Sequence, residues 1–481
     1  MKKFFAILMT ICVLASALCV TAFAAEPSVV ISIYGLKENG EKVGLNSYTT
    51  FAEGWEAAVD FANDHNMMDR KGYTRIVVDF HADWKANKDG EFGNGGDGFE
   101  WSTIYVPGKT RITMNLNGHT IDRGLGENNE LDGEVIWVNN KADLIINDGT
   151  ITGGNSDTGA GGLYITNGST VTLNNVNVIK NTADGDYGGG IGLHDGSTLI
   201  MKGGSISGNK NDSLMEYAAG VYLDSSTATF EGVTFSDNQN TYYASEGTVI
   251  YAYDHSKVTM NQCEVIDNGT KNDALGTKGQ VSLIVADWYS ELTITETNFR
   301  GNGYAASEHS SASINCLINI SSHAHAYINK CTFTNNSAKY LIDSHNGSFE
   351  IANTSFLNNP ANVFHGFAKY TGTFSDCVFN NNPASKWTDC CSFDFVYLDS
   401  RVEFIRCDFG NATFNDRSRA TFADTVNPNG AGSIFSEGSP VMIVAIFAIL
   451  ALAASVVSIF MVANLKKKLV SVAVNNTENK E

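Results

Sequence analysis

The sequence predicts an all-β fold: a single-stranded right-handed parallel β-helix, a solenoid, with a helical cap before it and one transmembrane helix after it. Three observations lead to this fold: a repeated asparagine, a repeated strand pattern and one long apolar segment late in the sequence. The 481 residues contain 46 glycines and only 6 prolines, and this composition suits short strands joined by tight turns. Helical hairpins are therefore a poor candidate for the repeated unit.

Asparagine recurs at one phase of the chain, three residues after an apolar residue that is usually phenylalanine. Successive asparagines lie 28, 29, 30, 34, 34, 23 and 23 residues apart, so a basic unit of about 23 residues carries insertions in its earlier copies. Repeats of this length indicate a solenoid, propeller or array. The members are Asn181, Asn209, Asn238, Asn268, Asn302, Asn336, Asn359 and Asn382.

Each repeat also contains short strands. The segments 167–173, 195–201, 224–230 and 254–260 superpose without gaps, and their alternation of apolar and polar residues is the period of a half-buried strand. Later in each unit an apolar residue holds one position, and Thr or Cys stands two residues earlier. In a coil whose rungs lie about 4.8 Å apart, both positions become stacks along the axis. A propeller would need a period of about 40 to 50 residues.

Parts of these repeats resemble a known family. The Phe-x-x-Asn segments 235–238, 299–302, 333–336, 356–359 and 379–382 are similar to one half of the polymorphic membrane protein repeats of Chlamydia. The Gly-Gly-aliphatic half is matched at 161–163 and 189–191, and by Ala-Gly-Val at 219–221. Residues 114–121 resemble the opening coil of bacterial pectate-lyase-like β-helix surface proteins. The resemblance covers residues 109 to 415 and implies the fold, while its families include adhesins, polysaccharide lyases and hydrolases.

The N-terminal region predicts export and a cap. Residues 1–24 combine two lysines, an apolar stretch and a small-x-small site, which is the pattern of a secretory signal peptide. Residues 25–108 form the predicted cap region, in which Thr50 and Glu53 make a capping box. The helix that follows places Phe51, Trp55, Val59 and Ala62 on one face. An open β-helix end exposes a strand edge, which such a cap would cover.

The C-terminal region predicts a membrane anchor. After the β-helix repeats of residues 109–424, residues 425–440 form a predicted stalk rich in Gly, Ser, Pro and Asn. Residues 441–463 contain no charge, and a helix of this length spans about 34 Å, enough to cross a bilayer. Three lysines follow at once, so the tail, residues 464–481, is predicted to be cytoplasmic. These features predict a single-pass cell-membrane protein of bacterial type whose solenoid is extracellular.

Charge and cysteine content limit the partners. The chain has 52 acidic and 32 basic residues, and no basic cluster lies outside the membrane-flanking segments, so nucleic-acid binding has no electrostatic support. Seven of the nine cysteines follow the signal peptide, and an odd number cannot all pair within one chain. Four of them share the inward position of the repeat and are predicted to be small buried fillers. They are Cys263, Cys331, Cys377 and Cys407.

The candidate site residues are Asp195, Asp224 and Asp254, which the gapless superposition places at one turn position on three consecutive rungs. Stacked carboxylates repel each other, so a bound cation, Ca²⁺, is one interpretation. The alternative is that Asp before Gly or Ser forms an ordinary turn. A metal site formed by His323, His325 and His345 is weighed against plain surface turns in the same way. No catalytic or cofactor-binding residue is predicted.

These features predict a surface binding or adhesion module without catalytic activity, whose partner is a glycan or a protein of another cell surface. A stiff solenoid presents a continuous lateral face to a ligand, and the insertions at 269–279 and 304–313 are where recognition would vary. The first alternative is a polysaccharide lyase or glycoside hydrolase, and the second is a structural spacer. An enzyme is favoured if one groove collects acidic and basic residues with exposed aromatic side chains.

Overall fold

The computed structural model describes residues 28–93, 98–100, 102–125, 132–185, 187–212, 218–240, 247–269, 282–303, 316–382, 393–395, 401–414 and 420–426. The predicted signal peptide, transmembrane helix and cytoplasmic tail lie outside these ranges, as do nearly all of the stalk and of the two insertions. Within the ranges, no helix has the length and apolar character needed to cross a membrane.

The first described segment is a small α/β cap. Strand β1 (Ile31–Lys37) lies between β2 (Lys42–Tyr48) and β3 (Tyr73–Phe80) and is antiparallel to both. Helix α1 (Phe51–Asn63) begins where the capping box predicts, with Thr50 Oγ1 donating to Glu53 Oε2 at 2.8 Å. Its inward face is buried on the sheet, and a short helix α2 (His65–Lys71) follows.

The cap leads directly into the coil, because β3 is also the first parallel neighbour of the solenoid. It pairs in parallel with β7 (Arg111–Asn115), so that Val78 lies beside Met114. The open edge of the first coil is thereby covered by the antiparallel cap strands, as a solenoid end requires.

The described rungs build two long sheets, A and B, whose strands within the solenoid are parallel apart from one antiparallel pair at the start of sheet B. The remaining strands of sheet A, in chain order, are β4 (Trp84–Lys85), β8 (Thr120–Asp122), β10 (Asp143–Thr152), β13 (Thr170–Ile179), β16 (Thr198–Lys202), β17 (Ser205–Ser207), β20 (Thr227–Glu231), β21 (Thr234–Ser236), β24 (Lys257–Asn261), β25 (Glu264–Ile266), β27 (Glu291–Thr295), β28 (Asn298–Arg300), β30 (His325–Asn329), β31 (Thr332–Thr334), β33 (Ser348–Ala352), β34 (Ser355–Leu357), β36 (Thr371–Ser375), β37 (Val378–Asn380), β39 (Arg401–Ile405) and β40 (Ala420–Ala423).

Sheet B faces sheet A across the core. Its strands are β5 (Phe99–Glu100), β6 (Thr103–Val106), β9 (Ile136–Val138), β12 (Leu163–Ile165), β15 (Ile191–Leu193), β19 (Val221–Asp224), β23 (Ile250–Tyr253), β26 (Ser282–Ala286), β29 (Cys316–Ser321), β32 (Tyr340–His345), β35 (Asn362–Phe367) and β38 (Phe393–Phe395). A short sheet C is present on four rungs, as β11 (Asn155–Ser156), β14 (Thr182–Ala183), β18 (Lys210–Asn211) and β22 (Gln239–Asn240).

The predicted inward stacks are confirmed. Phe299, Phe333 and Phe356 are fully buried and lie in register on successive rungs, with ring centroids 4.5 and 4.8 Å apart. The four predicted filler cysteines are buried free thiols. Burial raises the pKa of Cys263 and of Cys331 to about 11, so both are uncharged at neutral pH.

The eight predicted asparagines form one buried ladder. Each side-chain oxygen after the first member accepts from the asparagine of the preceding rung, as when Asn238 Oδ1 accepts from the backbone and side-chain N–H groups of Asn209, both at 3.2 Å. Each side-chain nitrogen also donates to a carbonyl of the preceding rung. The ladder therefore satisfies backbone groups where each coil leaves sheet A.

Two glycine pairs of the repeat, 161–162 and 189–190, stand on rungs that carry sheet C. A Cβ at Gly161 would lie 2.2 Å from the carbonyl oxygen of Thr182 in β14, and one at Gly189 would lie 2.1 Å from that of Lys210 in β18. These contacts are with backbone, which cannot move aside without opening sheet C. The pair is already incomplete at Ala219-Gly220, where β18 and β22 are both present.

Candidate functional site

The three aspartates of the predicted cation ladder do not share one position, so the gapless superposition is wrong at Asp224. Leu193 pairs with Leu223 and Thr198 with Thr227, so four residues separate Leu193 from Thr198 and only three separate Leu223 from Thr227. Asp224 therefore continues its strand beside Tyr253, and its carboxylate lies 3.9 Å from the Nδ1 atom of His194.

Ser225 links two of these aspartates. Its hydroxyl group lies 2.9 Å from Asp254 Oδ2 and 3.0 Å from Asp224 Oδ1. In the described part of the chain, no three or more His, Cys, Asp and Glu side chains are grouped so that they could hold a metal ion. The calcium ladder at Asp195, Asp224 and Asp254 stays a prediction, which the calcium arm of the binding experiment below tests.

The three histidines weighed as a metal site have separate partners. His323 stacks on Tyr289 with centroids 4.9 Å apart, and His325 lies on sheet A with its Nδ1 atom 2.9 Å from Ser348 Oγ. His345 packs edge-on against Phe367. The turn at His323 has a positive φ of 68°, which breaks the simple alternation on which the shared face was predicted.

A ladder of aromatic rings, absent from the sequence-based expectations, runs along the outer face of sheet B. Its ring centroids are separated in turn by 5.2, 6.1, 5.5, 5.8 and 5.7 Å. We call it the aromatic ladder, and its members are Tyr105, Trp137, Tyr164, Tyr187, Tyr222 and Tyr251. Its first four rings are partly exposed, and its last two are buried.

One member of the aromatic ladder comes from a turn. In the register of sheet B, Gly192 stands between Tyr164 and Tyr222. A Cβ at Gly192 would lie 3.4 Å from the Cβ atom of Tyr187, so the glycine leaves the space that Tyr187 fills. The ring of His194 packs 4.0 Å from the Tyr187 ring, and burial lowers the pKa of His194 to about 4. His194 is thus a neutral part of the packing at pH 7.

Hydrogen bonds hold the exposed end of the aromatic ladder in place. The indole N–H of Trp137 donates to Thr166 Oγ1 at 3.1 Å, and that hydroxyl donates to Asn139 Oδ1 at 3.0 Å. Asn139 is further held by Asn167, at 2.8 Å. Because the indole N–H is already used, a ligand at Trp137 would meet the partly exposed ring and no free N–H donor. Such a ring is preorganised and loses little freedom on binding.

An acidic cleft opens beside these rings. It has a volume of about 550 Å³, and Trp137 and Tyr164 line it together with Asp132, Glu134 and Gly159. A Cβ at Gly159 would lie 3.2 Å from Glu134 Oε2 and 3.3 Å from Tyr164 Cδ1. The glycine therefore keeps open a gap that is bordered by a carboxylate on one side and an aromatic ring on the other.

Glu134 is the most deeply placed carboxylate of the cleft, with 7% of its surface exposed. Burial raises its pKa, and the nearby guanidinium of Arg123 opposes that rise only in part. Arg123 is itself buried, which lowers its pKa to about 10. Its N–H groups donate to Thr103 Oγ1 and to the carbonyl oxygens of Glu134 and Asp132. This cation supports the cleft wall from behind.

A second column of carboxylates accompanies the cleft. Asp157, Asp184 and Asp212 each follow a strand of sheet C whose residues are paired in register, so they occupy one position on consecutive rungs. Asp132 is attached to this column, because its Oδ1 atom accepts the backbone N–H of Asp157 at 2.6 Å. The pKa of Asp157 is raised by burial first, and then by the charges of Asp132 and Asp184.

Polar residues continue the outer face of sheet B beyond the aromatic ladder. Asp343, His365 and Asp394 lie in register on β32, β35 and β38. The Nδ1 atom of His365 lies 2.8 Å from Asp343 Oδ1, and its ring stacks on Tyr340 with centroids 4.2 Å apart. These contacts account for the packing of His365, whereas the acidic cleft next to the aromatic ladder has space for a ligand.

We expect Glu134→Gln to stabilise the protein at neutral pH, because the raised pKa means that ionisation of Glu134 disfavours the folded state. The free energy of unfolding of the unchanged protein should fall relative to the variant as pH rises from about 4, the ordinary range of a Glu, towards 7. Urea unfolding of both proteins at pH 4 and pH 7 measures the difference. A variant that is less stable than the unchanged protein at pH 7 would contradict this account.

Comparison with known proteins supports the fold. The family model described as a right handed beta helix region matches residues 110–299 and again 220–409. No curated protein and no solved structure shows significant similarity to the chain. Together the two matches span residues 110–409, which is more than half of the 481 residues. This protein therefore belongs to the right-handed β-helix family.

Proposed function

We propose that this protein is a glycan-binding module of the cell surface that holds an extended polysaccharide along the aromatic ladder and the acidic cleft. The observation that carries the proposal is the regular stacking of partly exposed rings beside an open cleft. Sugar rings present apolar C–H faces that pack on aromatic rings, and their hydroxyl groups need polar partners at the edges. The aromatic ladder and the cleft offer both.

The spacing of the aromatic ladder supports an elongated ligand. Its centroids are 5.2 to 6.1 Å apart from Tyr105 to Tyr187, a step comparable with the length of one sugar ring in an extended chain. The ladder follows the solenoid axis, so a polymer can contact several rungs at once. Each contact is individually weak, and the affinity would come from their number.

We expect Trp137→Ala to weaken binding of a polysaccharide fragment about tenfold or more, equivalent to about 1.4 kcal/mol, because it removes the central exposed ring. The measurement is a glycan-array screen of the full-length protein, with and without calcium, followed by titration of the best ligand. Tyr327→Ala is the matched control, since Tyr327 is a partly exposed ring on the outer face of sheet A. Equal losses in both variants would refute a specific role for the aromatic ladder.

The location at the cell surface is part of the same proposal. It rests on the apolar leader in residues 1–24 and on the uncharged segment 441–463 followed by three lysines. In intact cells, an external protease should remove the solenoid and leave the C-terminal tail in the membrane fraction. Protection of the solenoid in intact cells, with digestion after lysis, would refute this arrangement.

Glycoside hydrolysis is a second candidate function, favoured by the raised pKa of Glu134. A carboxyl group that keeps its proton can protonate a leaving glycosidic oxygen, while a second carboxylate such as Asp132 activates water or attacks the sugar. Product analysis of every bound glycan tests it. Cleavage that disappears in Glu134→Gln would establish that the protein is an enzyme. If every bound glycan stays intact, the protein is a binding module without this activity. A lyase acting on uronic acids is less suited to a cleft lined by carboxylates.

A further inference from the structure

We infer that the acidic cleft selects glycans with free protonated amino groups, such as glucosamine polymers, over N-acetylated and uronic-acid polymers. This inference rests on the proposed function and adds the chemical class of the ligand. It comes from charge placed beside a stacking surface, and neither the aromatic ladder nor the carboxylates alone would lead to it.

The lining of the cleft has one sign of charge. Asp132 and Glu134 line it, and Asp157 follows through the hydrogen bond to Asp132. No Lys or Arg is among the described lining residues. The buried Arg123 directs N–H groups at Thr103 and at two carbonyl oxygens. A polyanionic ligand would therefore meet repulsion at the cleft, whereas a cationic ligand would meet attraction.

The carboxylate and the ring are close enough to contact one sugar residue. Glu134 Oε2 and Tyr164 Cδ1 lie 3.2 and 3.3 Å from the same Cβ position at Gly159. A sugar ring that packs against the exposed edge of Tyr164 in the cleft would thus hold a substituent within reach of the Glu134 carboxylate. An ammonium group on that sugar is the substituent that gains most from such a neighbour, because it supplies both charge and hydrogen-bond donors.

The arrangement recurs along the axis. Asp157, Asp184 and Asp212 follow the rung spacing of about 4.8 Å, and each precedes an aromatic ladder residue on its own rung, namely Tyr164, Tyr187 and Tyr222. Carboxylates and rings therefore form two columns along the solenoid, and the ring column is partly exposed at Tyr164 and Tyr187 and buried at Tyr222. A polymer with an amino group on each sugar likewise carries positive charges at regular intervals along its length.

The electrostatics of the cleft agree with a cationic ligand. Burial raises the pKa values of Glu134 and Asp157, and like charges add to the rise at Asp157. A bound ammonium group would lower both values, since it favours the ionised form. Affinity should therefore increase as pH rises through the carboxylate range and fall again once the amines of the ligand lose their protons.

The test compares three oligosaccharides of equal length with the full-length protein: a β-1,4-glucosamine oligomer, its N-acetylated form and an oligogalacturonate. We expect the amine form to bind more tightly than either of the others, by about tenfold or more, at pH 6 and low salt. Added salt should reduce this preference. The double variant Glu134→Gln with Asp157→Asn should lose most of the preference, measured as the ratio of the affinities for the amine and N-acetylated forms.

The outcomes separate the two proposals. If the N-acetylated oligomer binds as tightly as the amine form, and Trp137→Ala still weakens it, the amine selectivity is wrong and the glycan-binding function stands. If the oligogalacturonate binds most tightly, the charge argument is overturned. If none of the three oligosaccharides binds, the amine selectivity is wrong, and the glycan-array screen decides whether the glycan-binding function stands. Thermal unfolding of the double variant checks that its cleft is folded.

Discussion

Replacing Asn302 with alanine is expected to lower the free energy of unfolding by about 3 kcal/mol or more, since each buried polar group left without a partner costs about 1–3 kcal/mol. The Asn302 side chain is fully buried. Its oxygen accepts from the backbone and side-chain nitrogens of Asn268, both at 3.1 Å. Its nitrogen donates to the carbonyl of Val265 at 2.7 Å. Alanine would remove the partner of the Asn268 backbone N–H and the donor to the Val265 carbonyl, whereas the Asn268 side-chain nitrogen would keep its bond to the carbonyl of Phe235 at 3.0 Å.

Asn298→Ala is the matched control for this prediction. Asn298 lies on the same rung, but its side chain is exposed and makes one hydrogen bond, to Glu264 Oε1 at 2.7 Å. A surface substitution of this kind changes stability by about 0.5 kcal/mol or less. Urea unfolding of both variants gives the comparison. Similar losses for Asn298 and Asn302 would mean that the buried ladder has no special role in stability.

The inward half of the fold could be predicted from the sequence because its signals are local. Two residues that share a face of a strand stand two apart in the chain, and the stack then repeats that pair on every rung. Phe333 and Cys331 show this, since both are buried in the structure as predicted. The helix that begins at Phe51 followed from its capping box in the same way.

The outward half could not be predicted in this manner, because its columns depend on turn lengths. At the strand position where the neighbouring rungs carry an aromatic residue, the rung of β15 has Gly192. The ring there is supplied by Tyr187, which belongs to the preceding turn. The stretch from Leu223 to Thr227 is one residue shorter than the matching stretch on the preceding rung. Asp224 therefore does not occupy the turn position that the sequence predicted for it. In the acidic column, Asp157 looks like an ordinary turn residue until sheet C brings it into line with Asp184.

This difference explains why the fold and the site are separable in the chain. The Asn ladder and the inward stacks hold the rungs together over the length of the solenoid, whereas the acidic cleft uses turns of only a few early rungs. Those early rungs also carry sheet C, and two of them carry the glycine pairs that begin at Gly161 and at Gly189. The close backbone approach there brings the turn with Asp157 and Gly159 beside the ring of Tyr164.

Phe333→Ala is expected to lower the free energy of unfolding by about 3–5 kcal/mol, because it deletes a fully buried ring and leaves a cavity. The ring stacks between Phe299 and Phe356 at 4.5 and 4.8 Å. In a solenoid each rung contacts only its neighbours, so the damage should stay local. Val178, Ile206, Phe235, Val265, Phe299 and Phe333 are successive members of one column, which puts Phe333 five rungs, or about 24 Å, from the rung of the cleft.

Because of that separation, Phe333→Ala should leave the glycan affinity of the cleft unchanged. The substitution should expose only the rungs around residue 333 to solvent. Hydrogen exchange should show loss of protection in β28, β31 and β34 and preserved protection in β10 and β13. Phe367→Ala, which removes a ring that is 38% exposed, is the control and should change neither quantity. If Phe333→Ala abolished glycan binding at a temperature where β13 stays protected, the binding site would have to extend to the later rungs, and the assignment of the acidic cleft as the main site would be wrong.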